Sequence, residues 1–243
     1  MSLPERNDAV KGWFTTRSAD SVNRDGSIPG LNCGYNTSAP RDEVDQNRQQ
    51  LLETLGWEPE QVAFADQVHG HRVRVVDTGG TWPETDGLIT TRRGLLLAIQ
   101  VADCAAVLIS DREGRAVAAL HAGWRGAVSG IVPEAINEML HVSGATPEQL
   151  VAWISPCISQ ERFEVGEEVA EQFPETFVRR EGVARPHVDL KGYVRKQLLD
   201  AGLETGRIRT DPGCTFNNSG RYYSWRRDRQ KAGRMLAMIG LTI

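Results

Sequence analysis

Three closely spaced apolar runs constrain the fold of this chain more than any other feature of its sequence. Each run has five to seven residues, a length that suits a β-strand and is short for a helix. Strands that other layers cover on both faces have nearly uninterrupted apolar sequences, because neither face meets water. The runs therefore predict a sheet buried on both faces, and they comprise Leu95–Val101, 105–110 and 116–120.

The rest of the chain alternates between predicted helices and predicted strands. Apolar periodicity, with Gly56 and Gly202 as stop signals and Asp189 as an N-cap, predicts helices over 42–55, 131–141, 166–173 and 190–201. Predicted strands cover 12–16, 62–64, 72–76, 88–90 and 151–154, and the tail returns to strand and turn around 214–215 and 222–225. No repeat or linker interrupts this pattern, so we expect one mixed α/β domain over residues 1–243.

Composition and charge narrow the class of protein. The chain is 40% hydrophobic and 25% charged, as globular domains are, and its net charge is −4. An acidic protein has no long-range attraction for nucleic acid or anionic membranes. Residues 222–229 mix aromatic and cationic side chains, which can stack on nucleic acid. The net negative charge of the protein instead favours an amphipathic edge strand followed by a solvated turn over nucleic-acid binding.

The N-terminus and the cysteines point to the cytoplasm. Residues 1–8 contain no apolar stretch of the kind found in a secretory signal, and the run Leu95–Val101 is far too short to cross a bilayer. The four cysteines are widely scattered, which fits reduced thiols better than a disulfide framework. We therefore expect a cytoplasmic protein that binds neither nucleic acid nor a membrane.

Three polar segments interrupt or follow the predicted strands, at 67–70, 102–104 and 121–126. Strand ends are where open α/β sheets gather their ligands. One thiolate and two imidazoles, from Cys104, His69 and His121, form a suitable tridentate set for Zn²⁺ and leave a fourth tetrahedral position for water or substrate. The single thiolate favours zinc over copper, although these donors do not exclude copper.

The same residues permit other interpretations. No His-x-x-x-His or Cys-x-x-Cys spacing is present, and a buried cysteine often serves only as a small apolar side chain. His71 rivals His69, because both share one face if a strand continues through them. Cys104 and His121 also form a candidate catalytic pair, in which the imidazole activates a nucleophilic thiolate. Metal binding and thiol catalysis compete for the same sulfur.

Arginines are the candidate anion contacts. Arg125 lies between Gly123 and Gly126, where the backbone can approach a ligand closely and the guanidinium offers a fork for an anion. A tight turn with an exposed arginine explains the segment equally well. Arg17 and Arg48 are further candidates.

Taken together, these segments resemble the YfiH, or laccase-domain, family. The matching motifs run in family order from residue 14 to residue 235 and cover nearly the whole chain. The most specific of them is the hexapeptide His-Ala-Gly-Trp-Arg-Gly at 121–126. The others include 14–17, 31–34, 67–70, 102–104, 163–166, 214–215, 224–228 and 233–235.

The resemblance implies a zinc site on His69, Cys104 and His121, with the last two residues catalytic. It also implies phosphorolysis of adenosine, inosine and methylthioadenosine to a free base and a pentose 1-phosphate, with some adenosine deamination. The implied fold is a layered sandwich shared with the catalytic domain of cytotoxic necrotizing factor, a cysteine hydrolase.

Within this hypothesis the substrates are a small-molecule nucleoside and phosphate. Arg17, Arg48 and Arg125 are the candidate phosphate contacts, and Asn32 is a candidate for sugar or base hydrogen bonds. Asp86 and Asp103 are candidate general acids. The alternatives are a Cys–His amidase that edits peptidoglycan precursors, a copper polyphenol oxidase, for which five histidines are few, and a zinc-stabilised binding module without enzyme activity.

Overall fold

A computed structural model describes residues 8–17 and 30–243. The expectation about a secretory signal concerns residues 1–8 and so falls almost entirely outside the described part. Six α-helices within these ranges are α1 Arg41–Leu55, α2 Trp124–Val128, α3 Ile131–Ser143, α4 Glu167–Ala170, α5 Leu190–Asp200 and α6 Trp225–Asp228. The described strands are β1 Val10–Phe14, β2 Val62–Ala65, β3 Val73–Val75, β4 Gly80–Trp82, β5 Gly87–Thr90, β6 Leu95–Val101, β7 Ala105–Asp111, β8 Val117–Ala122, β9 Leu150–Ile154, β10 Val178–Arg179, β11 His187–Val188, β12 Ile208–Thr210 and β13 Met235–Leu241.

Most strands belong to two mixed sheets. The first sheet has the order β1-β13-β6-β2-β4, in which β13 runs antiparallel to both neighbours and β2 runs parallel to both of its own. The second has the order β12-β9-β7-β8-β5-β3, with β7 antiparallel to β8 and β9. The predicted mixed α/β class is therefore confirmed.

The two sheets pack face to face. Leu97 of β6, Leu108 of β7 and Trp153 of β9 lie in one apolar core between them. The outer face of the first sheet carries a second core, in which Leu52 of α1 packs with Leu96. The outer face of the second sheet is covered by α3 and α5. Layers therefore follow the order helix, sheet, sheet, helices, and every residue of β7 is buried, as the continuous apolar run predicts.

Local signals placed several helix ends correctly. Gly56 adopts φ 74° after α1 and Gly202 adopts φ 96° after α5, backbone angles that glycine tolerates best. The Asp189 side chain accepts a hydrogen bond from the Gly192 N–H at 2.9 Å, as expected for an N-cap. The helix predicted over 166–173 is shorter, because the N–H groups of Gln172 and Phe173 bond to carbonyls three residues back, in turns, instead of four residues back as in an α-helix.

The prediction for the C-terminal region is wrong in two respects. Residues 222–224 are buried and lead into α6 rather than forming an edge strand. The strand of this region is β13, which the prediction missed although its sequence is continuously apolar. It lies between β1 and β6 and is buried throughout. Among the described residues, no helix combines the length and the apolarity needed to cross a membrane.

Candidate metal centre

The three residues predicted as metal ligands come together in the structure. The ligand atoms of His69, Cys104 and His121 all lie within 4.8 Å of one another, and among the described residues they form the one group of three or more such side chains. Two separate sheets contribute, because His69 follows β2 whereas His121 lies at the end of β8. The two imidazole rings meet edge to face, with centroids 4.8 Å apart. His71 is exposed and lies outside the group.

Asp86 orients two of the three ligand residues, His69 and His121. Its carboxylate is fully buried, and Oδ1 lies 2.7 Å from Nδ1 of His121. An ionised carboxylate only accepts, so Nδ1 carries the proton and Nε2 is left as the ligand atom. The same carboxylate accepts the backbone N–H groups of Val68, His69 and Gly70 at 3.2, 3.0 and 2.8 Å. Asp86 therefore positions two of the three ligands.

The His69 loop also has an unusual backbone. His69 adopts φ 63°, in the left-handed region that few residues other than glycine occupy. The three N–H groups that converge on Asp86 hold this conformation in place. Strain of this kind persists where the surrounding structure over-determines it, and it is concentrated at functional sites.

Charge in the centre favours a thiolate. Burial alone raises the pKa of Cys104, but the charge of His121 and hydrogen bonds from His121 and His69 lower it to about 6. Burial alone lowers the pKa of His121, whereas the thiolate and Asp86 raise it to about 9. In the absence of metal the two form a thiolate–imidazolium pair. A thiolate is the form that binds a metal ion and also the form that acts as a nucleophile.

The arrangement fits a tetrahedral metal ion. Zinc bound to nitrogen and sulfur separates its ligand atoms by about 3.5 Å, so the donor triangle needs to shorten by little more than 1 Å at most. Gly123 makes room for it, because a Cβ there would lie 3.0 Å from Sγ of Cys104 and 3.5 Å from a carbon of each imidazole. The carboxylate–histidine contact through Asp86 is the outer-shell partner that such sites use.

The centre opens into a cavity of about 610 Å³. Aromatic and cationic side chains line much of its wall, namely Tyr35, Phe64, Trp124, Phe163, Trp225, Arg48, Arg125, Arg226 and Arg234. Cavities of this size hold small organic ligands. The Arg48 guanidinium lies between the rings of Tyr35 and Phe64, at 4.0 and 4.2 Å from their centroids, and its Nε donates to the Cys33 carbonyl at 2.8 Å.

The four predicted substrate contacts divide into two pairs. Arg48 and Arg125 line the cavity, and Arg125 is exposed over the Trp124 ring at 4.3 Å. Arg17 and Asn32 do not line it. Arg17 donates to the Ser219 carbonyl at 2.6 Å. Their assignment as substrate contacts remains a prediction to which these positions lend no support.

Asn32 organises a loop. Its Oδ1 accepts the backbone N–H groups of Gly34 and Arg234 at 3.0 and 2.8 Å, and its Nδ2 donates to Oγ1 of Thr37 at 2.9 Å. The amide is thus occupied on both sides by protein groups.

Sequence reasoning missed one wall of the cavity. Trp225, Arg226 and Arg234 lie on this wall. The Arg226 Nη1 donates to the Glu164 carbonyl at 2.7 Å, and the Arg234 guanidinium lies 5.4 Å from the Trp225 ring centroid. The available signal was the mixture of aromatic and cationic residues at 222–229, which was interpreted as an amphipathic edge strand followed by a solvated turn.

Gly126→Ala tests how tightly the His69 loop is held. A Cβ at position 126 would lie 2.5 Å from the carbonyl oxygen of Gly70, so the loop must shift by a few tenths of an ångström or more. We expect a Zn²⁺ affinity about ten-fold lower and a loss of about 1–3 kcal/mol in the free energy of unfolding. Competition titration with a zinc indicator and denaturant unfolding measure the two effects.

Gly206→Ala is the matched control, because a Cβ there meets nothing within 4 Å. It should leave both quantities unchanged within about 0.5 kcal/mol. Wild-type zinc affinity in Gly126→Ala would show that this backbone contact does not hold the ligand loop.

Comparison with known proteins identifies the family of this chain. The family model described as multi-copper polyphenol oxidoreductase laccase matches residues 11–242. A relative from Deinococcus radiodurans named purine nucleoside phosphorylase is 40% identical over 240 residues, which cover 97% of this chain and 90% of the relative. The purine nucleoside phosphorylase YfiH of Escherichia coli (strain K12) is 32% identical, over 87% of this chain and 85% of its own.

Solved structures show the same fold. The YfiH hypothetical protein of Bacillus licheniformis superposes with a TM-score of 0.89 at 29% identity, over 97% of this chain and 94% of the other. YlmD from Geobacillus stearothermophilus gives a TM-score of 0.89 at 30% identity, over 97% and 93%. With sequence and structure matching over nearly its whole length, this chain belongs to the multi-copper polyphenol oxidoreductase laccase family, alongside YfiH and YlmD.

Proposed function

We propose that this protein is a cytoplasmic, zinc-dependent purine nucleoside phosphorylase that acts on adenosine, inosine and methylthioadenosine and also deaminates adenosine. The observation that carries the proposal is the position of the His69, Cys104 and His121 triangle, at the wall of a cavity lined by aromatic rings and guanidinium groups. Rings suit a purine base, and guanidinium groups suit phosphate. The names of the two relatives support the same reaction.

Zinc is the proposed ion because imidazole nitrogen and thiolate sulfur are ligands that it prefers, and three protein ligands leave one coordination position open, as in catalytic zinc sites. When bound, the ion supplies a Lewis acid that polarises a reactant atom. Copper sites with one thiolate and two imidazoles usually add a weak axial ligand. The tridentate set by itself is sufficient for zinc.

The residues of the chain then bind and orient the reactants. In phosphorolysis a phosphate oxygen forms a bond to C1′ of the ribose, the bond from C1′ to the base nitrogen breaks, and the base takes up a proton. The sugar carries cationic character in the transition state, so an anion held beside C1′ stabilises it. We assign this role to the cavity guanidinium groups, with Arg48 and Arg125 as the predicted contacts.

Neither candidate general acid is placed to deliver a proton. The Asp86 carboxylate accepts from His121 and three backbone N–H groups. Burial raises the pKa of Asp86, but these partners outweigh it and hold the pKa below its ordinary value. A general acid needs a raised pKa instead. The oxygens of Asp103 are also occupied, which leaves the proton to solvent or to another group of the cavity.

The test is direct. Zinc-loaded protein incubated with adenosine and phosphate should release adenine and ribose 1-phosphate in equal amounts. Removal of the metal with a chelator should abolish the reaction, and one equivalent of Zn²⁺ should restore it. Metal-loaded protein that forms no pentose 1-phosphate from any of the three nucleosides would contradict the proposal.

One observation favours a second candidate, a Cys–His hydrolase acting on an amide of a peptidoglycan precursor. Cys104, His121 and Asp86 form a thiol–imidazole–carboxylate series like that of cysteine hydrolases. Hydrolysis by this series does not require His69, whereas a metal site does, because the ligand atom of His69 is the third donor. Turnover that survives complete metal removal would favour this candidate.

The oxidase chemistry in the family description requires several copper ions and many histidines. In the described part of the chain the potential ligands form a single three-donor group. His141 is exposed on α3, and Nδ1 of His187 lies 2.8 Å from the Gln160 carbonyl oxygen. We therefore propose no multicopper centre, and a metal analysis that finds several copper ions per chain would contradict this view.

A further inference from the structure

Asp103 connects the metal centre to a distant part of the chain. It directly precedes Cys104, is buried, and adopts the left-handed φ of 84°. Its Oδ1 accepts from the hydroxyl of Thr215 at 2.6 Å. Its Oδ2 accepts from the hydroxyl of Ser224 at 3.0 Å and from the backbone N–H of Arg226 at 2.6 Å. These partners lie 112 to 123 residues later in the sequence.

Two of these hydrogen bonds define the start of α6. Ser224 is the N-cap and its hydroxyl oxygen accepts from the Arg227 N–H at 3.2 Å, while Asp103 takes the N–H of Arg226. The helix has only four residues, too few to be stable alone, because the first turn costs more conformational entropy than its hydrogen bonds return. The location of α6 therefore depends on the Asp103 carboxylate.

Helix α6 carries one wall of the cavity. Trp225 and Arg226 line it, and the Arg226 guanidinium is held at its far end by the Glu164 carbonyl and lies 5.5 Å from the Phe163 ring centroid. Asp103 thus links the two sides of the site: it is bonded to Cys104 by a peptide bond, and its carboxylate accepts the backbone N–H of Arg226. Its carboxylate sets the distance between a metal ligand and a cavity cation.

We infer that Asp103 is a positioning residue that holds Arg226 in the wall of the cavity that the metal centre shares, where the guanidinium binds the phosphate that attacks the nucleoside. This inference rests on the proposed phosphorolysis for the identity of the anion. The contacts favour positioning over acid catalysis, because the Thr215 and Ser224 hydroxyls and the Arg226 N–H all donate to this carboxylate, which accepts all three hydrogen bonds. The strained backbone at Asp103 agrees with a role in geometry.

Asp103→Asn separates positioning from acid catalysis. The amide nitrogen cannot accept a hydrogen bond, so either Thr215 or the α6 N-terminus loses its acceptor. We expect unchanged zinc content, a KM for phosphate about ten-fold higher, a kcat within about three-fold of wild type and an unchanged pH profile. Loss of a general acid would instead lower kcat by about 10²–10⁴ and remove one limb of the pH profile.

Milder variants keep the inference testable if Asp103→Asn folds poorly. Thr215→Val removes one donor to Asp103 and should raise the KM for phosphate. Thr215→Ser keeps the hydroxyl and should have the wild-type KM. Arg226→Ala should raise the KM by at least as much. The double variant Asp103→Asn/Arg226→Ala should not be additive, because both changes remove the same contact.

Direct binding distinguishes failure of the inference from failure of the proposed function. Inorganic phosphate is titrated into zinc-loaded protein by calorimetry. Suppose that the wild type binds phosphate but cleaves no nucleoside, and that the affinity for phosphate falls equally in Asp103→Asn and Arg226→Ala. The proposed function then fails and the positioning role stands. A phosphate Kd and a KM that are unchanged in Asp103→Asn overturn the inference.

Discussion

Cys104→Ala should lose the metal and phosphorolysis together. Cys104 supplies the only thiolate of the donor triangle, and two imidazoles alone hold Zn²⁺ weakly. We expect zinc affinity to fall by at least about 100-fold and ribose 1-phosphate formation to become undetectable at stoichiometric zinc. Metal analysis after dialysis and a single-turnover assay measure both quantities on the same sample. Loss of activity with the metal retained would instead identify Cys104 as a nucleophile.

Cys157→Ala is the matched control for this prediction. Cys157 is fully buried, and burial raises the pKa of its thiol to about 12, so it is chemically inert. We expect the control to keep its zinc and its activity while losing about 1–2 kcal/mol of unfolding free energy to the small cavity. Loss of zinc from the control would show that the Cys104 result reflects general disruption of the fold.

The pH dependence of alkylation gives an independent measure of the thiolate. In metal-free protein the pKa of Cys104 is about 6, so iodoacetamide should react with this residue half-maximally near that pH and faster above it. Zn²⁺ should protect the thiol. Alkylation of Cys104 that begins only above pH 8 would contradict the thiolate–imidazolium pair.

Asp86→Asn should produce the second large effect, because one carboxylate serves both the His121 ring and the His69 loop. An amide accepts on its oxygen only, so the variant loses either the Oδ1 contacts with the His121 ring and the His69 N–H or the Oδ2 contacts with the N–H groups of Val68 and Gly70. We expect zinc affinity to fall about 10–100-fold and the metal-free protein to lose about 3 kcal/mol of unfolding free energy. Excess Zn²⁺ should restore activity, since all three ligands remain.

The stability loss in Asp86→Asn should depend on pH in a definite direction. The folded-state pKa of Asp86 is lowered below 3.8, so its contribution is present above about pH 4 and is lost as the pH falls further. The folded-state pKa of His121 is raised to about 9. Its contribution is therefore complete below about pH 6.5 and is lost as the pH rises through 9. The difference between wild type and variant should be largest near pH 5 to 6.

Asp77→Asn is the control for both measurements, since Asp77 is an exposed carboxylate in the turn after β3. It should match the wild type in zinc affinity and in stability within about 0.5 kcal/mol. Asp86→Asn protein with wild-type zinc affinity would show that the carboxylate does not orient the ligands.

Local sequence determined the parts of this protein that depend on neighbours in the chain. The continuous apolar runs of β6 and β7 predicted strands covered on both faces, and Gly56 and Asp189 marked helix ends correctly. The ligand types at positions 69, 104 and 121 were also visible, because side-chain chemistry is read directly from residue identity. Their convergence was supported by their places at strand ends and by family resemblance, since no spacing pattern relates them.

Tertiary structure alone decided which polar groups act together. The Asp86 carboxylate meets His121 across 35 residues, and the Asp103 carboxylate meets the N-terminus of α6 across 123. Hydrogen bonds over such separations leave no trace in periodicity or local propensity, because each partner is locally compatible with many structures. For the same reason residues 222–229 resembled an amphipathic edge strand followed by a solvated turn. Burial of Tyr222 and Tyr223 against β13, and the distant Asp103 carboxylate at the start of α6, instead place Trp225 and Arg226 in the wall of the cavity.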